Sequence, residues 1–142
     1  MRVGRAPWSR PRPTPPGAEV ASASRTLGEQ AEDAALHHLE RHGLMQVARN
    51  FRCRQGEIDL VMRHGATHVF VEVRYRSQAR YGGAAASVDH RKQQRIITAA
   101  QFFLQRHPQA ARGPCRFDVV AVSPAPAGGW RIDWIQNAFE LV

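Results

Sequence analysis

Two acidic side chains, Asp59 and Glu72, sit on neighbouring stretches that alternate apolar and polar residues. Between them, Gly65-Ala66 suits a two-residue hairpin turn, with glycine at the first central position as a type II′ turn prefers. A turn centred there sets His64 opposite Thr67, Leu60 opposite Val71, Asp59 opposite Glu72 and Glu57 opposite Arg74. Directly opposed residues have Cβ atoms roughly 4.5–5.5 Å apart, and two carboxylates so placed repel each other. A divalent cation is one way to neutralise them, since Mg²⁺ is typically held by one or two carboxylates plus phosphate oxygens. A shared proton or a nearby arginine is another, and then the pair is only part of a solvated polar face. Glu57 opposite Arg74 predicts an ordinary cross-strand ion pair.

Basic residues crowd the same region. Arg74 and Arg76 share the strand face of Glu72. Just beyond, Tyr81, Gly82 and Gly83 form a small-residue loop suited to close backbone approach by a ligand. Arg91, Lys92 and Arg95 follow at the start of a helix. Together these residues could grip phosphates on either side of a metal. Phosphate contacts give affinity without sequence readout, so binding selective for DNA structure is the natural expectation.

Positioning these groups requires a sheet with helices against it. Ala31, Ala35 and Leu39, widened by Leu36, predict a helix over about 26–42, stopped by Gly43, with Leu44 placed for a contact back onto it. Residues 47–53 read as a short strand. Residues 57–62 alternate, with Ile58, Leu60 and Met62 on one face and Glu57, Asp59 and Val61 on the other. Residues 68–76 alternate again, with Val69, Val71, Val73 and Tyr75 on one face and Phe70, Glu72, Arg74 and Arg76 on the other. The stripe Ile96, Ile97, Ala100, Phe103, Leu104 predicts a long helix over about 87–107, ended by Pro108. Strands over 117–122 and 130–135 complete an α/β chain with a mixed sheet.

The chain has 142 residues, 43% of them hydrophobic, enough for one domain with a modest core. Twenty Lys and Arg against twelve Asp and Glu give a net charge of +8, and the pI is about 11.1. That balance points to an anionic partner, nucleic acid first, although a basic surface also serves solubility alone. Residues 1–26 hold five of the nine prolines and five arginines against a single acid, Glu19. Such a stretch cannot offset its ordering entropy by burial, so a disordered basic arm is expected there, with the domain over 27–142. Cys53 and Cys115 form no CxxC pair and read as free thiols in a reducing cytosol. No run approaches the roughly 18 apolar residues of a membrane helix, and no secretory signal is evident. A cytoplasmic protein with no membrane partner is expected. His38 and His42 share a helix face as a zinc pair would, but no third ligand is evident, so they read as surface histidines.

The run Gly56-Glu57-Ile58-Asp59-Leu60-Val61, followed by Val69-Phe70-Val71-Glu72-Val73-Arg74-Tyr75-Arg76-Ser77, resembles the YraN family of uncharacterised bacterial proteins. Further matches are Arg49-Asn50, Tyr81-Gly82, Lys92, Arg116-Phe117-Asp118-Val119 and Asn137-Ala138-Phe139, so the resemblance runs from about Leu27 to Phe139. That family is similar in fold to the PD-(D/E)xK nucleases, which include restriction endonucleases and Holliday-junction resolvases. The resemblance implies a restriction-endonuclease-like mixed β-sheet flanked by helices, with an αβββαβ core. It implies that Asp59 and Glu72 coordinate Mg²⁺ or Mn²⁺, with the backbone carbonyl of Val73 as a further ligand and Glu32 as an outer or second-metal ligand. Taken by itself, Glu32 is an ordinary exposed helix carboxylate.

Two positions depart from the nuclease pattern. Arg74 occupies the place of the motif lysine; it keeps the charge and can fork onto a phosphate, but it is no general base at neutral pH. Lys92 would supply the ammonium instead, or else is a surface or phosphate-contacting lysine. Ala31 stands where the family prefers glycine, which alters packing. The catalytic candidates are thus Asp59, Glu72, Arg74 and Lys92. The resemblance implies a metal-dependent DNA endonuclease acting on junctions or branched DNA, with a homodimer as the form suited to a symmetric junction. The competing expectations are a nucleic-acid-binding module of the same fold with weak or lost catalysis, and an adaptor for an acidic protein.

Overall fold

The structure is a computed structural model and describes residues 25–77 and 88–140. The expected basic arm, apart from Arg25 and Thr26, and the Tyr81, Gly82 and Gly83 loop lie outside these residues. The elements run α1 (Leu27–Arg41), β1 (Met45–Cys53), β2 (Gly56–His64), β3 (Thr67–Tyr75), α2 (His90–Arg106), a short α3 (Pro108–Ala111), β4 (Cys115–Pro124) and β5 (Trp130–Phe139). The five strands form one sheet in the order β1-β2-β3-β4-β5. All neighbours are antiparallel except β3 and β4, which are parallel. A parallel pair needs a long crossover, and α2 supplies it. The fold is the expected α/β arrangement, a mixed sheet with helices against it.

Each of the two long helices starts at a side-chain cap. Thr26 accepts from the Glu29 N–H at 3.1 Å, and the Glu29 carboxylate accepts from the Thr26 N–H at 2.9 Å, a reciprocal capping box. Asp89 caps α2 through the Lys92 N–H at 2.8 Å. That cap places the start of α2 three residues later than the periodicity suggested. Gly43 ends α1 at φ 90°, and buried Leu44 donates back to the Leu39 carbonyl at 3.1 Å. Gly65 has φ 62° while Ala66 does not share the positive sign, as a type II′ turn requires.

The two helices cover opposite faces. α1 buries Ala31, Ala35, Leu36 and Leu39 against Leu60, Met62, Val69, Val71, Val120 and Val122. α2 buries Ile96, Ile97, Ala100 and Phe103 against Ile58, Val61, Phe70, Phe117 and Val119. Central strands are therefore apolar on both sides, each fully buried Val or Leu contributing about 1.5–3 kcal/mol. This corrects the expected alternation in β2. Ile58 packs with Val61 rather than with Leu60 and Met62. A regular strand puts residues three apart on opposite faces, so the chain must turn between them, at Asp59. Across the β1 ladder, between the pairs Arg49–Leu60 and Phe51–Ile58, Asn50 takes the left-handed φ of 54°.

Where β2 begins, the helix comes very close. A Cβ on Gly56 would stand 2.5 Å from the backbone oxygen of Arg95 on α2. Gly56→Ala must push helix from strand, and overpacking of this kind costs about 1–3 kcal/mol. The urea midpoint of Gly56→Ala is expected to fall in proportion to that loss, with an unchanged slope. A midpoint equal to wild type would show that the helix gives way freely.

Candidate metal and nucleic-acid site

The ladder between β2 and β3 runs from His64–Thr67 to Leu60–Val71, the register set by the turn. Past Leu60 and Val71 the recorded pairing stops, and the acids sit where the strands part. There Asp59 Oδ2 accepts the Val73 N–H at 2.8 Å, a side chain taking the place of a ladder bond. Glu72 is buried, with 5% of its surface exposed. Its Oε2 receives Lys92 Nζ at 3.2 Å from α2 and Arg74 at 3.7 Å from its own strand face. Glu32 of α1 lines the same cavity of about 300 Å³, with Asp59, Glu72, Val73, Arg74 and Lys92.

Charge is unevenly balanced across the pair. Among the described residues, Glu72 has two cations beside it and Asp59 has none. Burial and the nearby negative charge of Glu72 push the Asp59 carboxyl from its ordinary 3.8 to about 8, against the Val73 N–H, which favours the charged form. Without a cation the pair therefore holds a proton at neutral pH. The sign of the linked stability follows. The folded state binds more protons than the unfolded chain between about 4 and 8, so stability falls as pH rises through that window. Relative to Asp59→Asn, the wild-type melting temperature is expected to drop as pH rises from 4 to 8 and then level off. Parallel curves for the two proteins would rule out the raised carboxyl.

The donor set suits a hard divalent ion. Two carboxylates carry oxygen ligands, and Asp59 has only a proton for a counter-charge. Among the described residues no cluster of three or more His, Cys, Asp or Glu side chains could hold a metal by themselves. An ion here would rest on Asp59 and Glu72, completed by backbone, water or phosphate oxygens.

The other expected residues divide. Lys92 reaches Glu72. Glu32 is not a free helix carboxylate; Arg49 of β1 lies 3.5 Å from it and bridges to Asp33 at 2.7 Å. Arg74 does not pair with Glu57. Glu57 bonds Arg52 across β1 at 3.1 Å, while Arg74 turns to Glu72, because the β2–β3 pairing ends before it would reach them. Arg76 is half-buried, Arg91 and Arg95 are exposed, and none of the three lines the cavity. Ala31, fully buried, forms part of its wall. Sequence reasoning did not single out Tyr75 and Gly28, which also line it, or Arg49, whose only signal was its place in the family resemblance. His38 of α1 and His42, which caps its end, lie ring to ring at 4.4 Å, with Trp134 edge-on to both. Cys53 and Cys115 are free, and no described helix is long and apolar enough to cross a membrane.

Known proteins share this sequence over most of its length. The profile of the uncharacterised protein family UPF0102 matches residues 31–122. A UPF0102 protein of Stutzerimonas stutzeri is 56% identical over 119 residues, 84% of this chain and 98% of that protein. One from Methylobacillus flagellatus is 55% identical over 116 residues, 82% of this chain and 98% of its own. One from Pseudomonas fluorescens is 50% identical over 121 residues, 85% of this chain and 98% of that protein. The matched span holds Glu32, Asp59, Glu72, Arg74 and Lys92. The chain belongs to the uncharacterised protein family UPF0102, the YraN family that its sequence resembles.

Proposed function

We propose that this protein is a metal-dependent DNA endonuclease that hydrolyses phosphodiester bonds, with a preference for branched DNA. The observation that carries the proposal is the convergence of Asp59, Glu72 and Lys92 from two strands and a helix onto one open cavity. Asp59, Glu72 and the Val73 carbonyl would hold Mg²⁺ or Mn²⁺, with Glu32 as an outer group. The ion would polarise the phosphoryl oxygen and lower the pKa of an attacking water. Lys92 places an ammonium beside Glu72, where it can orient that water or meet charge developing on the phosphate. Arg74 keeps a second positive charge at the same carboxylate and can fork onto a phosphate. Arg76, Arg91 and Arg95, with the Tyr81, Gly82 and Gly83 loop, would contact the flanking backbone. A net charge of +8 suits a polyanion such as DNA as the partner.

A second reading has its own observation. Arg74 stands where a general base or water-orienting lysine would be, and Glu72 already has two protein cations beside it. A binding module with reduced catalysis fits that balance. Plasmid, single-stranded and four-way-junction DNA incubated with Mg²⁺ or Mn²⁺ separates the two. Cleavage is expected, strongest on the junction and abolished by EDTA. Lys92→Met should slow it at least as much as Arg74→Met. DNA binding with no cleavage under either metal would leave the module as the function, and undiminished cleavage by Lys92→Met would remove that lysine from the chemistry.

A further inference from the structure

A second cavity lies at the far end of the same strands. It has a volume of about 730 Å³ and is walled by Arg63, His68, Arg106, His107 and Arg112 over the apolar base of Phe103. Among the described residues no acidic side chain lines it. Among the described residues none of the three arginines forms an ion pair. His68 has its Nδ1 buried without a hydrogen-bond partner. Burial first, and then the neighbouring Arg63 and His107, hold the His68 imidazole below its usual range. Arg63 donates to Met45 Sδ at 3.5 Å and Arg106 lies over the Phe51 ring at 5.9 Å, neither of them an anion. Cationic donors converging on a concave surface are complementary to a phosphate.

Distance ties this cleft to the carboxylates. Arg63 is four residues along β2 from Asp59 and His68 four along β3 from Glu72, about 13 Å of strand. Arg106 lies fourteen residues from Lys92 on α2, about 21 Å of helix. Arg91, Arg95, Thr98, Phe102 and Arg106 fall within one side of that helix at 3.6 residues per turn, so a row carrying three arginines connects the two ends. Phosphates of one DNA strand advance about 3.4 Å along the axis, so the separation spans about four to six of them.

We propose that this cleft binds the backbone of the same nucleic-acid strand that enters the carboxylate cavity, about four to six phosphates from the reacting one. The inference rests on the nucleic-acid part of the proposed function and extends it to a second anchoring point. It makes the protein a reader of strand path: only a strand able to lie along α2 reaches both ends.

The test is DNA binding by fluorescence anisotropy across a salt series, without divalent metal, using wild type and the triple variant Arg63→Ala, Arg106→Ala, Arg112→Ala. All three side chains are on exposed residues, so the fold should survive, and circular dichroism checks it. Each phosphate contact contributes about 0.9 to the slope of log K against log salt, so the triple variant should lose about 2–3 from that slope and bind more than tenfold weaker. The corresponding triple lysine variant should recover most of the slope. DNA shortened to fewer than about four phosphates on either side of its centre should bind wild type and the alanine variant alike. An unchanged slope with affinity within twofold of wild type overturns the proposal. So does calorimetric binding of a deoxynucleoside monophosphate to wild type alone while the DNA slope stays the same, which would make the cleft a free-nucleotide site. A reduced slope with no cleavage by wild type under any metal supports the cleft while removing the nuclease. Cleavage with an unchanged slope does the reverse.

Discussion

Asp59→Asn is expected to remove cleavage while making the folded protein more stable above neutral pH. The two effects share one cause. The carboxyl is held where burial and Glu72 oppose its ionisation, and its ordinary value of 3.8 rises to about 8. The asparagine keeps an oxygen for the Val73 N–H, now 2.8 Å from Asp59, but carries no charge to be penalised. It also lacks the anionic ligand a divalent ion needs. Electrophilic metal assistance is worth several kcal/mol of transition-state charge stabilisation, so single-turnover cleavage should fall by about 10²–10³-fold or more. Glu72→Gln should match it in rate but not in stability, because Lys92 and Arg74 would lose a shared, buried counter-charge. Cleavage by Asp59→Asn within tenfold of wild type would end the role assigned to this carboxylate. Equal stability of the two proteins at pH 8–9 would show that Asp59 ionises there without cost.

Asp118→Ala is expected to cause the largest loss of stability of any single change considered. Asp118 is fully buried on β4. Its carboxylate accepts from Arg116 Nε at 3.0 and 3.2 Å, from Trp134 Nε1 at 2.9 Å and from the Asn137 N–H at 2.9 Å. Truncation leaves a half-buried guanidinium, an indole N–H and a backbone N–H without their acceptor. Breaking a buried charged pair from one side costs about 3–5 kcal/mol, a large share of the 5–15 kcal/mol typical of a domain. Equilibrium denaturation followed by tryptophan fluorescence measures it. A loss below about 1 kcal/mol would mean that water replaces the carboxylate readily. DNA cleavage below the unfolding midpoint should be preserved, since Asp118 does not line the carboxylate cavity.

Much of this arrangement was legible before any coordinates. A hairpin has few degrees of freedom once its turn is known, so Gly65-Ala66 fixed the β2–β3 register and with it the neighbourhood of Asp59 and Glu72. The helix periodicities found both buried stripes because each helix meets the sheet on one side. What could not be read was set by irregularity and by distance along the chain. Alternation placed Ile58 with Leu60, whereas the chain turns at Asp59. The Glu57–Arg74 pair failed because extrapolating a ladder assumes that it continues, and this one stops at the acids. Lys92 could be placed near Glu72 only through the resemblance, since twenty residues and an unpatterned loop separate them in sequence. The Asp118 staple and the Arg63–Arg106–Arg112 cleft gather residues from remote segments with no local spacing to announce them.

Both outer strands of the sheet carry extra residues, one on β1 and two on β5. On β1 the register slips between Gln46 and Ala48, and on β5 the slip covers Asn137, whose φ is 51°. Bulges of this kind bend a strand and disturb its row of free N–H and C=O groups, which spoils it as a template for another chain. Two copies of this protein would not readily join their sheets into one continuous ten-stranded layer. A dimer able to straddle a junction would have to meet through helices or loops, leaving the strand ends that hold the carboxylates open to DNA.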